Sequence, residues 1–370
     1  MSVIQMYDPK REYQTHKLEI DNCIQKVLDH GLFIDGPEVK ELETKLSEFV
    51  GAKYCIAVSN GTDAIKIALL ALDIKPEDEV ITVAHTWISS AEVISIINAI
   101  PVFVDIEQET FNLDYNKLRK AITPKTKAII VVSLYGQVGD IDEINKIANE
   151  YNIPVIEDAA QSFGATYNEK KSCNLSTIGT TSFFPSKPLG CYGDGGACFT
   201  NDELLAKKIR AIKSHGGLQR FQHEYIGMNG RLDTLQASIL LTKFSYFEET
   251  LNNRNKCAKY YTEKLNNIKQ IKLPIVKENR YHAWAQYSIL CENKQTRDKL
   301  VAYLKENNIN VAIFYPVPLH YQNCFKNKSV VHNLSVTEET ADRVFNLPCY
   351  GELTLEEQNK IINLVQKFFN

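Results

Sequence analysis

At 370 residues the chain is too long for one small module, and at about 150 residues per domain two domains are expected, one large and one small. Its 42 basic and 45 acidic side chains leave a formal charge of −3, which argues against nucleic-acid binding as the main function. Hydrophobic residues at 44% and charged residues at 24% exclude disordered, collagen-like and coiled-coil chains. The nine cysteines are odd in number and form no C-x-x-C pair, so neither a disulfide framework nor a zinc knuckle is indicated, and no metal is expected. Residues 1–16 are polar and lack the apolar core of a signal peptide, and no stretch reaches the roughly 18 apolar residues of a membrane helix. A cytoplasmic globular protein is expected.

Taken in chain order, Tyr54–Val58 reads as a strand, and 62–72 as a helix with Ile65, Leu69 and Leu72 on one side. Strands are expected at 80–83, 101–104, 128–134 and 154–156, with helices at 90–98 and 141–151 between them. Strands alternating with helices of about 10–15 residues predict an α/β fold, a mostly parallel sheet with helices on both faces. The run Ile129-Ile130-Val131-Val132 fits a strand buried on both sides. After Arg231 the texture changes to a long charged helical pattern over 232–265. A strand at 287–290, a helix at 296–307 and a closing helix at Leu355–Phe369 follow. The expected division is 1–245, a large α/β unit with an N-terminal helical segment, and 246–370, a smaller α+β unit.

In open α/β sheets ligands bind beyond the carboxyl ends of the strands, so the strand-to-helix turns are the places to search. Ser59-Asn60-Gly61-Thr62-Asp63 is small, polar and followed by a helix, whose free N–H groups and positive dipole end suit a phosphate. Its plain alternative is a helix cap through Asn60 or Thr62. The turn lacks the G-x-G-x-x-G pattern, and no G-x-x-x-x-G-K-[ST] occurs, so dinucleotide and NTPase readings gain no support. Glu157 and Asp158 follow a buried strand, and alternation along a strand allows only one of them into a given pocket. Lys187 lies among aromatics, prolines and glycines in Phe183-Phe184-Pro185-Ser186-Lys187-Pro188-Leu189-Gly190. It either snorkels to solvent or is desolvated and ready to form a Schiff base. A phosphate turn, a strand-end carboxylate and a desolvated lysine together match what pyridoxal 5′-phosphate requires.

These segments, with Gly193-Asp194-Gly195-Gly196-Ala197 and Arg231-Leu232-Asp233, resemble the DegT/DnrJ/EryC1/StrS sugar aminotransferases over nearly the whole chain. That resemblance implies fold type I of the pyridoxal-phosphate transferases. It implies Lys187 as the Schiff-base lysine and proton carrier, Asp158 at the pyridinium nitrogen and Gln161 at the ring hydroxyl. Trp87 would stack on one ring face and Ala160 pack on the other. Gly61, Thr62 and Ser182 would hold the phosphate, with Asn229 reaching in from a second subunit of a homodimer. Arg231, Tyr315, His320 and His215 are candidate substrate contacts. Each has a plainer alternative: a salt bridge for Arg231, packing of a proline-rich turn for Tyr315 and His320, an idle loop histidine for His215, and simple core for Trp87.

The resemblance further implies L-glutamate as donor and a nucleotide-linked keto sugar as acceptor, in surface-polysaccharide or O-antigen biosynthesis. Dehydratases of the family carry histidine where this chain has Lys187, which favours transamination. The Lys187 segment is most similar to enzymes that aminate C3 of UDP-2-acetamido-2-deoxy-3-keto-hexuronates. Those enzymes carry histidine where Phe314 stands, so a neutral UDP- or dTDP-linked keto sugar stays open. A regulator that binds the cofactor without turnover is the non-enzyme alternative.

Overall fold

A computed structural model describes residues 3–219 and 221–370; Met1, Ser2 and Arg220, within the expected large unit, lie outside the described residues. Eight strands form the main sheet, in the order Tyr54–Val58, Gly196–Thr200, Ile178–Ser182, Val155–Asp158, Thr126–Val132, Glu79–Val83, Ile100–Val104 and Val330–Val331. Among them Gly196–Thr200 runs opposite to the other seven. The expected mostly parallel α/β sheet is therefore present, and the carboxyl ends of its other strands open on one edge.

Alternation along the strands builds a core on each face. Ile81, Val83, Ile129 and Val131 pack with Leu42, Leu46, Phe163 and Leu240 on one side. Val80, Ala128, Ile130 and Ile156 pack with Ala64, Ile67 and Ile209 on the other. Both faces are dry, which is why the strands read as continuous apolar runs. The helix Gly61–Ala71 begins where Asn60 accepts the Asp63 amide hydrogen at 2.7 Å. The helix Ser89–Ile96 follows Glu79–Val83, and Ile141–Glu150 follows Thr126–Val132.

A second, antiparallel sheet joins Ile271–Lys272, Tyr287–Cys291 and Val344–Leu347. Helices Phe247–Leu265, Lys294–Glu306 and Leu355–Phe369 cover it, around Tyr261, Tyr287, Leu300, Phe345 and Ile361. A capping box of Thr354 and Glu357 starts the closing helix. The chain crosses between the two cores in both directions. Ile4 bridges to Ile309 in the second core, while Val330–Val331 adds an edge strand to the main sheet.

The structure departs from the sequence expectation at three places. The pattern over 232–265 is two helices, Thr234–Phe244 and Phe247–Leu265, and the break falls where Tyr246 lays its ring flat on His16 at 3.7 Å. Glu157 and Asp158 lie inside the strand Val155–Asp158 rather than after it. Ile178–Ser182 is mostly glycine, threonine and serine, and Gly196–Thr200 offers only the short apolar run Ala197-Cys198-Phe199, so pairing inside the sheet decides that both are strands.

Candidate active site

The residues expected to hold a phosphate lie at the edge where Tyr54–Val58 and Ile178–Ser182 end. The Gly61 and Thr62 amides head the helix Gly61–Ala71 and have no acceptor among the described residues. A Cβ on Gly61 would lie 2.6 Å from Ser182 Cβ, so only glycine lets the helix start approach that serine. The Thr62 hydroxyl bonds to Ser89 Oγ at 2.7 Å. Asn60 is the cap, so the capping and anion-binding readings of this turn coexist on different atoms.

Glu157 and Asp158 point to opposite sides of their strand, each into a different partner set. Glu157 is fully buried and accepts from Ser133 Oγ at 3.2 Å, Ser172 Oγ at 2.6 Å and the Cys173 amide at 2.8 Å. Asp158 accepts from Ser90 Oγ at 2.7 Å and from the Ala160 amide at 3.2 Å. Burial raises the Asp158 carboxyl above its ordinary range, against the pull of these two donors and of the Lys187 charge.

Lys187 lies in the loop after Ile178–Ser182, held by its own amide to the Phe184 carbonyl at 2.9 Å. The Phe184 amide in turn donates to Ser182 Oγ at 3.2 Å, tying the lysine loop to the residues expected to hold the phosphate. Its ammonium has no hydrogen-bond or ion-pair partner among the described residues. Burial lowers its pKa, opposed only by the charge of Asp158. Such an amine gives up its proton more readily than a surface lysine and is the nucleophile a Schiff base requires. An unpartnered amine, a buried carboxylate and a glycine-tight pair of free amides fit an aldehyde, a ring nitrogen and a phosphate.

The far wall is aromatic. Trp87 is 56% exposed, and its ring centroid lies 6.2 Å from that of Tyr315. Gln161 accepts the Tyr135 amide hydrogen at 2.7 Å and donates through Nε2 to the Tyr315 hydroxyl at 3.1 Å. Ser90, Tyr135 and His85 belong to this assembly and were not singled out in the sequence. The Ser89-Ser90 pair just after Trp87 was the available signal; Tyr135 and His85 carried none.

The other expected residues have their own surroundings. His215, with φ +60°, and Arg231 line a cleft of about 580 Å³ with Asp35, Lys40 and His223; Lys187 and Asp158 are not among its described lining residues. Arg231 Nε is buried with no partner among the described residues, and Asn229 is exposed. His320 is turned to Glu338, with Nε2 3.1 Å from the carboxylate.

A curated relative, the UDP-2-acetamido-2-deoxy-3-oxo-D-glucuronate aminotransferase of Pseudomonas aeruginosa, is 50% identical over 95% of this chain and 96% of its own. A Geobacillus stearothermophilus protein named a pleiotropic regulatory protein is 41% identical over 99% of this chain and 98% of its own. The crystal structure of NtdA from Bacillus subtilis with bound cofactor PMP superposes with a TM-score of 0.93 at 33% identity, covering 100% of this chain and 86% of that one. The model of the DegT/DnrJ/EryC1/StrS aminotransferase family matches residues 14–366, and the chain belongs to that family.

Proposed function

We propose that this aminotransferase moves the amino group of L-glutamate to C3 of a nucleotide-linked keto sugar, as a cytoplasmic homodimer supplying a surface glycan. Pyridoxal 5′-phosphate is its cofactor. The observation that carries the reading is Lys187, an unpartnered amine of lowered pKa beside the buried Asp158. When bound, the cofactor supplies a carbonyl that exchanges amino groups and a ring that accepts electrons from the substrate Cα bond.

The chain's own residues do the rest. The Gly61 and Thr62 amides and the Ser182 hydroxyl hold the phosphate at the helix start. Asp158 would keep a proton on the ring nitrogen, and Gln161 Nε2 would donate to the ring hydroxyl. Trp87 would stack on one face of the ring and Ala160 would pack on the other. Lys187 Nζ, when free, would take the proton from the substrate Cα and deliver it to the cofactor's aldehyde carbon. Asn229 serves the partner subunit's site. Exposed Leu32, Phe33 and Ile34, with Ile226 at 94% exposure, supply apolar surface for that contact. Arg231 receives a carboxylate, and Tyr315, His320 and His215 border the sugar. The unit 246–370 closes over it.

The acceptor we favour is UDP-2-acetamido-2-deoxy-3-keto-glucuronate, on the likeness to the Pseudomonas enzyme. Phe314 supports a neutral UDP- or dTDP-linked sugar as the second reading. Protein assayed with glutamate against UDP- and dTDP-linked 3-keto and 4-keto sugars should give an amino sugar by mass with the uronate fastest. Bound cofactor without turnover on any sugar would overturn the assignment and favour a regulator, the role the Geobacillus relative's name carries.

A further inference from the structure

Behind the Gln161 and Tyr315 pair lies a chain of polar contacts that runs from one sheet to the other. Tyr135 is its centre, 3% exposed, just past the carboxyl end of Thr126–Val132. Its backbone N–H donates to Gln161 Oε1 at 2.7 Å. A backbone N–H can only be met by an oxygen, so this bond decides which way the Gln161 amide faces. The NH₂ end is left to donate to Tyr315, whose own hydroxyl hydrogen then points elsewhere.

The Tyr135 side chain makes a second set of contacts. Its hydroxyl bonds to the Phe314 carbonyl and lies 2.9 Å from His85 Nε2. A carbonyl can only accept, so the single hydroxyl hydrogen of Tyr135 goes to Phe314. His85 Nε2 therefore meets an oxygen whose hydrogen is already committed, and must be the donor. That leaves Nδ1 unprotonated, and Nδ1 is the His85 nitrogen without a partner among the described residues. Burial lowers the His85 pKa to about 3, so the ring stays neutral. The backbone N–H of Phe314, in the preceding peptide unit, is held from the second sheet. It donates to Asn346 Oδ1 at 3.1 Å, and Asn346 Nδ2 donates to Ser288 Oγ at 2.6 Å.

We propose that Tyr135 is a positioning residue that sets the donor direction of the site: its amide turns Gln161, and its hydroxyl, backed by His85, holds the peptide that carries Tyr315. The proposal rests on the reading of Gln161 and Tyr315 as cofactor and sugar contacts. It uses the backbone of residue 314, so the clamp operates whichever side chain stands there. One hydrogen-bonded segment thus links Thr126–Val132 to Val344–Leu347 through the site.

Two measurements test it. In cofactor-free protein at neutral pH, nitrogen NMR of ¹⁵N-histidine, with His85 assigned by its loss in His85→Gln, should show hydrogen on Nε2 and none on Nδ1. Hydrogen on Nδ1 would overturn the proposal. In cofactor-loaded Tyr135→Phe, kcat should fall about 10- to 100-fold with KM for glutamate little changed, and the visible band of the cofactor should shift. Wild-type kcat with an unmoved band overturns it. If Tyr135→Phe does not fold, the His85 tautomer decides. That readout needs neither cofactor nor sugar, so a failed sugar assay in the wild-type protein would strike the function assignment and leave this test standing.

Discussion

The two sides of the strand Val155–Asp158 hold one carboxylate each, and they are treated differently. Glu157 has both oxygens engaged by three donors and is sealed from solvent. Asp158 has one donor per oxygen, a margin of 6% exposure and Lys187 as its nearby cation. Burial raises both pKa values, so desolvation does not separate them. Unused acceptor capacity does, since an ionised carboxylate offers about four lone-pair sites. The acid with three donors holds the loop at Ser172 and Cys173; the one with two keeps more room for a further hydrogen.

Substitutions on and around this strand can break that contrast. Lys187→Ala should remove turnover altogether and abolish the visible band of bound cofactor that glutamate discharges. Residual wild-type activity there would remove the mechanism. Asp158→Asn is expected to cost roughly 10²–10³-fold in kcat while leaving the denaturation midpoint near wild type. It should also alter Lys187. Burial lowers that amine's pKa and the Asp158 charge opposes the lowering, so the asparagine variant releases the Lys187 proton at still lower pH. Followed by absorbance, cofactor uptake by the cofactor-free protein should rise with pH around a midpoint below the ordinary lysine value, and lower again in Asp158→Asn.

Glu157→Gln tests the opposite side. The new NH₂ faces donors, so a loss of about 1–3 kcal/mol in unfolding free energy is expected, with kcat per folded molecule retained. The folded pKa of Glu157 is raised, so the folded chain binds that proton more tightly than the unfolded one. Its contribution to stability is then greatest below the ordinary carboxylate range and is lost as pH rises through the raised value. Urea midpoints across pH should lose that slope in the glutamine variant. Ser90→Ala removes one of the two Asp158 donors and should weaken cofactor binding by a modest roughly 2- to 10-fold, measured by equilibrium titration. An unchanged affinity would mean that Asp158 does not need Ser90 to be placed.

How legible the site was depended on whether its chemistry was local. Gly61-Thr62, the Glu157-Asp158 pair and the Lys187 loop each carry their signal in a few adjacent residues. Ser90 touches Asp158 from 68 positions away, and Tyr135 reaches Phe314 across 179. No window of sequence contains both members of such a pair. The sequence expectation for 232–265 failed at a comparable long-range contact, Tyr246 against His16.

What the sequence alone determined is the alternation of buried strands and capped helices, the acid pair on opposite strand sides and a lysine held among glycines and prolines. These follow from period, turn chemistry and the steric freedom of glycine, all of which act within a few residues. Only the tertiary structure decided that Ile178–Ser182 lies between Val155–Asp158 and Gly196–Thr200, with Tyr54–Val58 at the edge beyond. That order brings Gly61 against Ser182 and Asp158 towards Lys187. A strand buried on both faces can satisfy its apolar side chains beside many neighbours, so the choice among them is made by long-range backbone pairing and packing.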